Sequence, residues 1–128
     1  MSADTYIPGS CNIGKGEIRR RQVVALIGAV LSAFTLAGLI STSAAPGARF
    51  GIFIPLLVAS IGWIQSRKKF CLAYGFMGTF NFGKLGQLSK VSDKSAQAAD
   101  RKTALSILAQ SLSLAAILTL IVYLLPLN

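Results

Sequence analysis

The side chains able to do chemistry in this chain are few, and they are mainly thiols and cations. There is no His, and the acids are Asp4, Glu17, Asp93 and Asp100. That removes His-based general acid–base catalysis, haem ligation through His and most zinc sites within one chain. Cys11 and Cys71 are the only thiols. Two thiolates are too few for an iron–sulfur cluster or a structural zinc, which take four ligands. Both cysteines fall in segments expected to face the cytoplasm, where thiols stay reduced, so no structural disulfide is expected. The plainest reading is two small buried hydrophobes, although Cys71 has the juxtamembrane position of an acylated cysteine. A thiol-based redox or metal-handling role for Cys11 and Cys71 is therefore the alternative function to weigh.

A tetrapeptide occurs twice: Asn12, Ile13, Gly14, Lys15 and Asn81, Phe82, Gly83, Lys84 share the order Asn, apolar, Gly, Lys. Asn and Gly tolerate left-handed backbone angles, so each copy suits a tight turn with exposed N–H groups beside an ammonium. That chemistry fits an anionic headgroup or a carboxylate. Two unrelated turns explain the repeat equally well.

Aromatic residues concentrate in residues 70–88, FCLAYGFMGTFNFGKLGQL, where Phe70, Tyr74, Phe76, Phe80 and Phe82 are interspersed with Gly75, Gly78, Gly83 and Gly86. From Tyr74 to Phe82 the rings recur with period two, which predicts an extended segment with one aromatic face. Such a face can cover a partner, lie in a headgroup region, border a pigment or quinone, or pack on the chain's own helices. A partner-docking surface of Tyr74, Phe76, Phe80 and Phe82 is the expectation; no particular cofactor follows.

The elements that carry these residues are set by composition. Hydrophobic residues are 53% of the 128-residue chain and charged residues only 13%, about half the charged share of a soluble domain. One unit embedded in lipid accounts for this better than a soluble domain with large apolar patches. Three uncharged apolar runs, residues 22–45, 50–65 and 103–125, predict an all-α membrane protein with three transmembrane helices; the second is near the minimum length. Residues 1–21 read as a polar, turn-rich segment broken by Pro8, Gly9, Asn12, Gly14 and Gly16. Pro46 and Gly47 mark the turn after the first span, and Trp63 is placed as an interfacial anchor. Residues 66–102 form the connecting loop, with a surface helix over 89–102 that Ser92 or Asp93 caps and that runs on into the third span.

Small residues suggest how the spans pack. Ala29, Ala33, Ala37 and Ser41, flanked by Gly28 and Ser32, predict a close-packing stripe on the first span; Ser106, Ala109, Gln110, Ser113 and Ala116 predict one on the third. Gln110 is expected to find a partner on another helix. No ionisable residue falls inside a span, which argues against an ion pathway.

The net charge of +9 raises nucleic acid as a partner, but the cations cluster at the ends of the apolar runs. With the N-terminus cytoplasmic, twelve of the thirteen basic residues lie inside and only Arg49 outside, a strong positive-inside pattern. Nucleic acid is not expected; anionic membrane lipid is, with Arg19, Arg20, Arg21, Arg67, Lys68 and Lys69 setting topology or binding headgroups. The sequence thus points to an integral protein of a bacterial inner or thylakoid-type membrane, N-terminus in and C-terminus out. The function expected is that of a non-catalytic accessory subunit beside other integral membrane subunits, with a respiratory or photosynthetic assembly as the natural setting. An anionic-lipid-binding protein is a further alternative.

Overall fold

The computed structural model describes residues 6–82 and 88–126. Three helices are long and apolar enough to cross a membrane: Lys15–Ser41, Pro46–Lys68 and Lys94–Leu124. The first is α1 (Lys15–Ser41). It starts before the apolar run, so Gly16 and the three arginines belong to it. Gly14 precedes it with an extended backbone and no side-chain cap. The second span opens as a 3-10 helix, Pro46–Ile52, and continues as α2 (Phe53–Lys68). The Pro46 turn therefore adds helix to the span, bringing it to 23 residues. Lys69 ends α2 in the left-handed conformation, φ 55°.

The segment after α2 corrects the extended reading. Leu72–Met77 forms a short helix, α3, stopped by Gly78 at φ 70°. Period-two spacing over so few residues is shared by both conformations; Leu72, Ala73 and Met77 are good helix formers, and the left-handed glycine supplies the stop. The strands among the described residues are β1 (Thr79–Phe80) and, antiparallel to it, β2 (Ser89–Lys90). The surface helix expected over 89–102 accordingly starts later. It is the first part of α4 (Lys94–Leu124), 31 residues without interruption, capped by Asp93, which accepts from the Ser95 N–H and hydroxyl. At 1.5 Å per residue α4 is about 46 Å long, more than a hydrocarbon core of about 30 Å requires.

Backbone contact joins α1 to α2. A Cβ on Gly28 would run into the Ala59 nitrogen, and one on Gly62 would lie 2.7 Å from the Ala25 nitrogen. Each glycine thus admits the other helix's main chain, the way helices associate where lipid offers no hydrophobic drive. The contact face carries Gly28 and Ser32; Ala29, Ala33, Ala37 and Ser41 point outward. On α4 the buried stripe is Ala104, Ile107, Ser111, Ala115 and Thr119, whereas Ser106, Ala109, Gln110, Ser113 and Ala116 are exposed. Gln110 bonds to Ser106 of its own helix at 2.9 Å rather than to another helix. The outer faces are apolar, with Leu26, Phe34, Ile54, Ile117 and Leu124 all well exposed.

The two ends of the bundle differ. At one, the Arg49 guanidinium donates to the carbonyls of Val122, Tyr123 and Leu125 at 2.7–3.2 Å, satisfying the end of α4, and Phe50 stacks on Tyr123. The other gathers the basic starts of α1 and α4, the basic end of α2, and a folded cap built from residues 6–14, α3 and the β1–β2 pair.

Candidate functional site

Asn12 holds the cap together. Its backbone N–H donates to the Lys69 carbonyl, its carbonyl accepts from the Asn81 N–H, and its side chain reads both polar groups of Cys71: Oδ1 accepts from the Cys71 N–H at 2.7 Å and Nδ2 donates to the Cys71 carbonyl at 3.1 Å. Asn12 is fully buried. The described start of the second tetrapeptide lies beside the first: Ile13 and Asn81 form a parallel bridge, and the Gly14 N–H donates to the Asn81 carbonyl. A Cβ on Gly14 would approach Phe82 to 3.2 Å, so the close pairing depends on glycine there. Lys15 is exposed at the first position of α1, while Gly83 and Lys84 lie outside the described residues.

Two carboxylates are buried in the cap, each met by a tyrosine hydroxyl. Asp100, on α4, accepts from Tyr6 at 2.5 Å and from the Gly9 N–H at 2.7 Å. Glu17, in the first turn of α1, accepts from Tyr74 and lies 3.6 Å from the guanidinium groups of both Arg20 and Arg21. Burial first, then the bond to its carboxylate and that carboxylate's charge, push each phenol above the ordinary tyrosine range. Arg21 also lies over the Tyr74 ring and donates to the Cys71 sulfur at 3.0 Å.

This last contact opens on a cleft of about 330 Å³ lined by Arg20, Arg21, Gln65, Cys71 and neighbouring apolar side chains. The Arg21 guanidinium thus gives Cys71 a polar setting at the mouth of a cleft. Cys11 is also buried, its thiol directed at the Ile13 carbonyl. Asn12 brings the two cysteine segments together, but no group of three or more His, Cys, Asp or Glu side chains assembles among the described residues.

The aromatic residues divide into two sets. Tyr74 is bonded inward, and Phe80 stacks on Tyr6 at 4.8 Å with Phe82 tilted against it at 6.0 Å. Phe76 and Met77, at the end of α3, are 39% and 61% exposed and project from the cap. Of the expected headgroup cations, Arg19 is exposed, Arg20 and Arg21 serve Glu17, Arg67 lies over the Trp63 ring at 5.5 Å, and Lys69 forms the left-handed end of α2. Lys68 opens on a second cleft with Lys102.

Asn12 as a linchpin, Glu17, Asp100 and Arg49 are functional to the architecture and were not singled out by sequence. The rarity of acids was the available signal. Each of the described carboxylates, Glu17, Asp93 and Asp100, is engaged. No family model, curated protein or solved structure matches this chain.

Proposed function

We propose that the protein is a non-catalytic accessory subunit of a larger integral membrane complex, docking through the outer face of its cap. The cap's side is the cytoplasmic one, because the positive-inside rule favours the end where the basic residues gather. The observation that carries the docking role is the pair Phe76 and Met77, exposed on α3 above a support that is itself buried and hydrogen-bonded. Gly75 lets that support come close: a Cβ there would meet the Phe70 ring at 2.8 Å and the Asp100 carbonyl at 2.9 Å. An aromatic and a methionine on a rigid mount suit an interface anchor, since their ordering cost is paid within the subunit. Tyr74, Phe80 and Phe82 then act from behind as buttresses.

Replacing Phe76 and Met77 by Ala tests this. An anchor truncated in this way costs about 2 kcal/mol or more of association, so the double variant separates from its complex in mild detergent while keeping its own thermal stability. Phe80→Ala, in contrast, lowers the stability of the protein itself. Retention of the Phe76/Met77 variant at wild-type stoichiometry would remove the basis for the proposal.

A further inference from the structure

Between the basic ends of α2 and α4 and the segment 6–14 lies a cleft of about 430 Å³, lined by Gly9, Ser10, Lys68, Lys102, Thr103 and Ser106. Two ammonium groups from separate helices open on it, and neither has a carboxylate partner among the described residues. The described acids are committed elsewhere: Glu17 to Tyr74 and two arginines, Asp93 to Ser95, Asp100 to Tyr6 and Gly9. Like charges sharing an opening repel, and an anion between them reverses the sign of that interaction.

The floor of the cleft is fixed. Gly9, at φ 72°, is held at both polar atoms, its N–H by Asp100 and its carbonyl by the Thr103 hydroxyl at 2.7 Å. Ser106 Oγ accepts from Gln110 Nε2, which leaves its own proton to donate outward. From the cleft a polar stripe then descends α4: Lys102, Ser106, Gln110 and Ser113, spaced by four, four and three on one helix face, are all exposed. Gln110 lies about 12 Å along the axis from Lys102. Polar side chains facing hydrocarbon are costly, so this stripe calls for a ligand that is anionic at the surface and still polar below it.

We propose that the cleft binds the headgroup of an anionic phospholipid, with its phosphate between Lys68 and Lys102 and its glycerol ester oxygens along Ser106 and Gln110. This rests on α2 and α4 being spans and does not depend on the docking face of α3. A soluble phosphate shares the headgroup chemistry but has no use for the stripe.

The full-length protein in nanodiscs of mixed phosphatidylcholine and phosphatidylglycerol is extracted into mild detergent, and retained phosphatidylglycerol is counted by native mass spectrometry. Near an anionic surface each ammonium is worth about fivefold, so K68Q/K102Q retains roughly 25-fold less, and K102Q alone roughly fivefold less. K90Q/K94Q, which removes the same charge elsewhere at this end, retains the wild-type amount. Equal losses in both double variants would reduce the effect to net charge and overturn the site. Displacement of the lipid by an equal concentration of inorganic phosphate would assign the cleft to a soluble anion and overturn the lipid reading. Unchanged retention in K68Q/K102Q would overturn both.

Discussion

Replacing Asn12 by Ala isolates the contact that ties the N-terminal segment to the end of α2. The backbone bonds of residue 12 to Lys69 and Asn81 survive the change. What is lost is the side-chain pair of bonds to Cys71, which is only 3% exposed, so its N–H is left without a partner while its carbonyl keeps the bond from the Gly75 N–H. Stranding a buried polar group costs about 1–3 kcal/mol. With about 1 kcal/mol for the second bond lost at the carbonyl, the change costs about 2–4 kcal/mol, a large share of a typical stability of about 5–15 kcal/mol. The loss is local, because the glycine contacts between α1 and α2 lie elsewhere. Amide hydrogen exchange in detergent therefore quickens about 30-fold or more at residues 11–14, 70–72 and 81, where 2 kcal/mol of opening energy is removed. Exchange around Gly28, Ala59 and Gly62 stays within a few-fold of wild type. Asn12→Asp does no better, since it faces the Cys71 carbonyl with a second oxygen and buries a charge. Protection of Cys71 and Asn81 within twofold of wild type in Asn12→Ala would refute the reasoning.

Gly28→Val and Gly62→Val each drive a side chain into the facing backbone. They lower the detergent unfolding transition by about 1–3 kcal/mol or more, whereas Gly38→Ala, where a Cβ meets nothing within 4 Å, leaves it unchanged. Alkali loosens the cap: Tyr6 and Tyr74 keep their protons in the folded state above the pH near 10 at which the unfolded chain releases them. Their contribution is therefore complete below about pH 10 and falls as pH rises above it; Tyr6→Phe and Tyr74→Phe flatten that decline in thermal melts. The burial of both native thiols makes them poor topology reporters, so engineered ones at exposed positions serve better. In sealed vesicles of known orientation, an impermeant maleimide labels Gly47→Cys from outside and Lys90→Cys only after permeabilisation; the reverse pattern would invert the assigned orientation.

The spans were legible because length, hydropathy and flanking charge are local properties of the chain. The Asp93 cap and the run of one helix into the third span are local as well. The cap was not. Pro8, Gly9 and Gly14 read as breakers, and nothing nearby reveals that Asn12 finds its partners at residues 69–81 or that Asp100 closes on Tyr6 and Gly9. Such bonds link residues 59 to 94 apart in sequence, and only the assembled bundle brings them together. The repeat of Asn, apolar, Gly and Lys could be seen as a pattern, but not that Asn81 of the second copy bonds to the first. Packing faces failed for a different reason. Both α1 and α4 carry small residues on more than one side, and the neighbouring helix selects among them. On α1 it takes Gly28 and Ser32 and leaves the alanines outside. The aromatic alternation from Tyr74 to Phe82 misled because it runs across the end of α3 into β1, and each part is too short to separate a helical period from an extended one.

The docking role is tested most directly by native electrophoresis of gently solubilised membranes carrying the untagged protein or its Phe76→Ala, Met77→Ala variant. The wild type is expected to migrate in a high-mass assembly at fixed stoichiometry, and the variant to migrate at the mass of the 13.5 kDa chain in its detergent shell with its unfolding temperature unchanged. A wild-type protein that migrates alone, or a variant that stays in the assembly, would contradict the account.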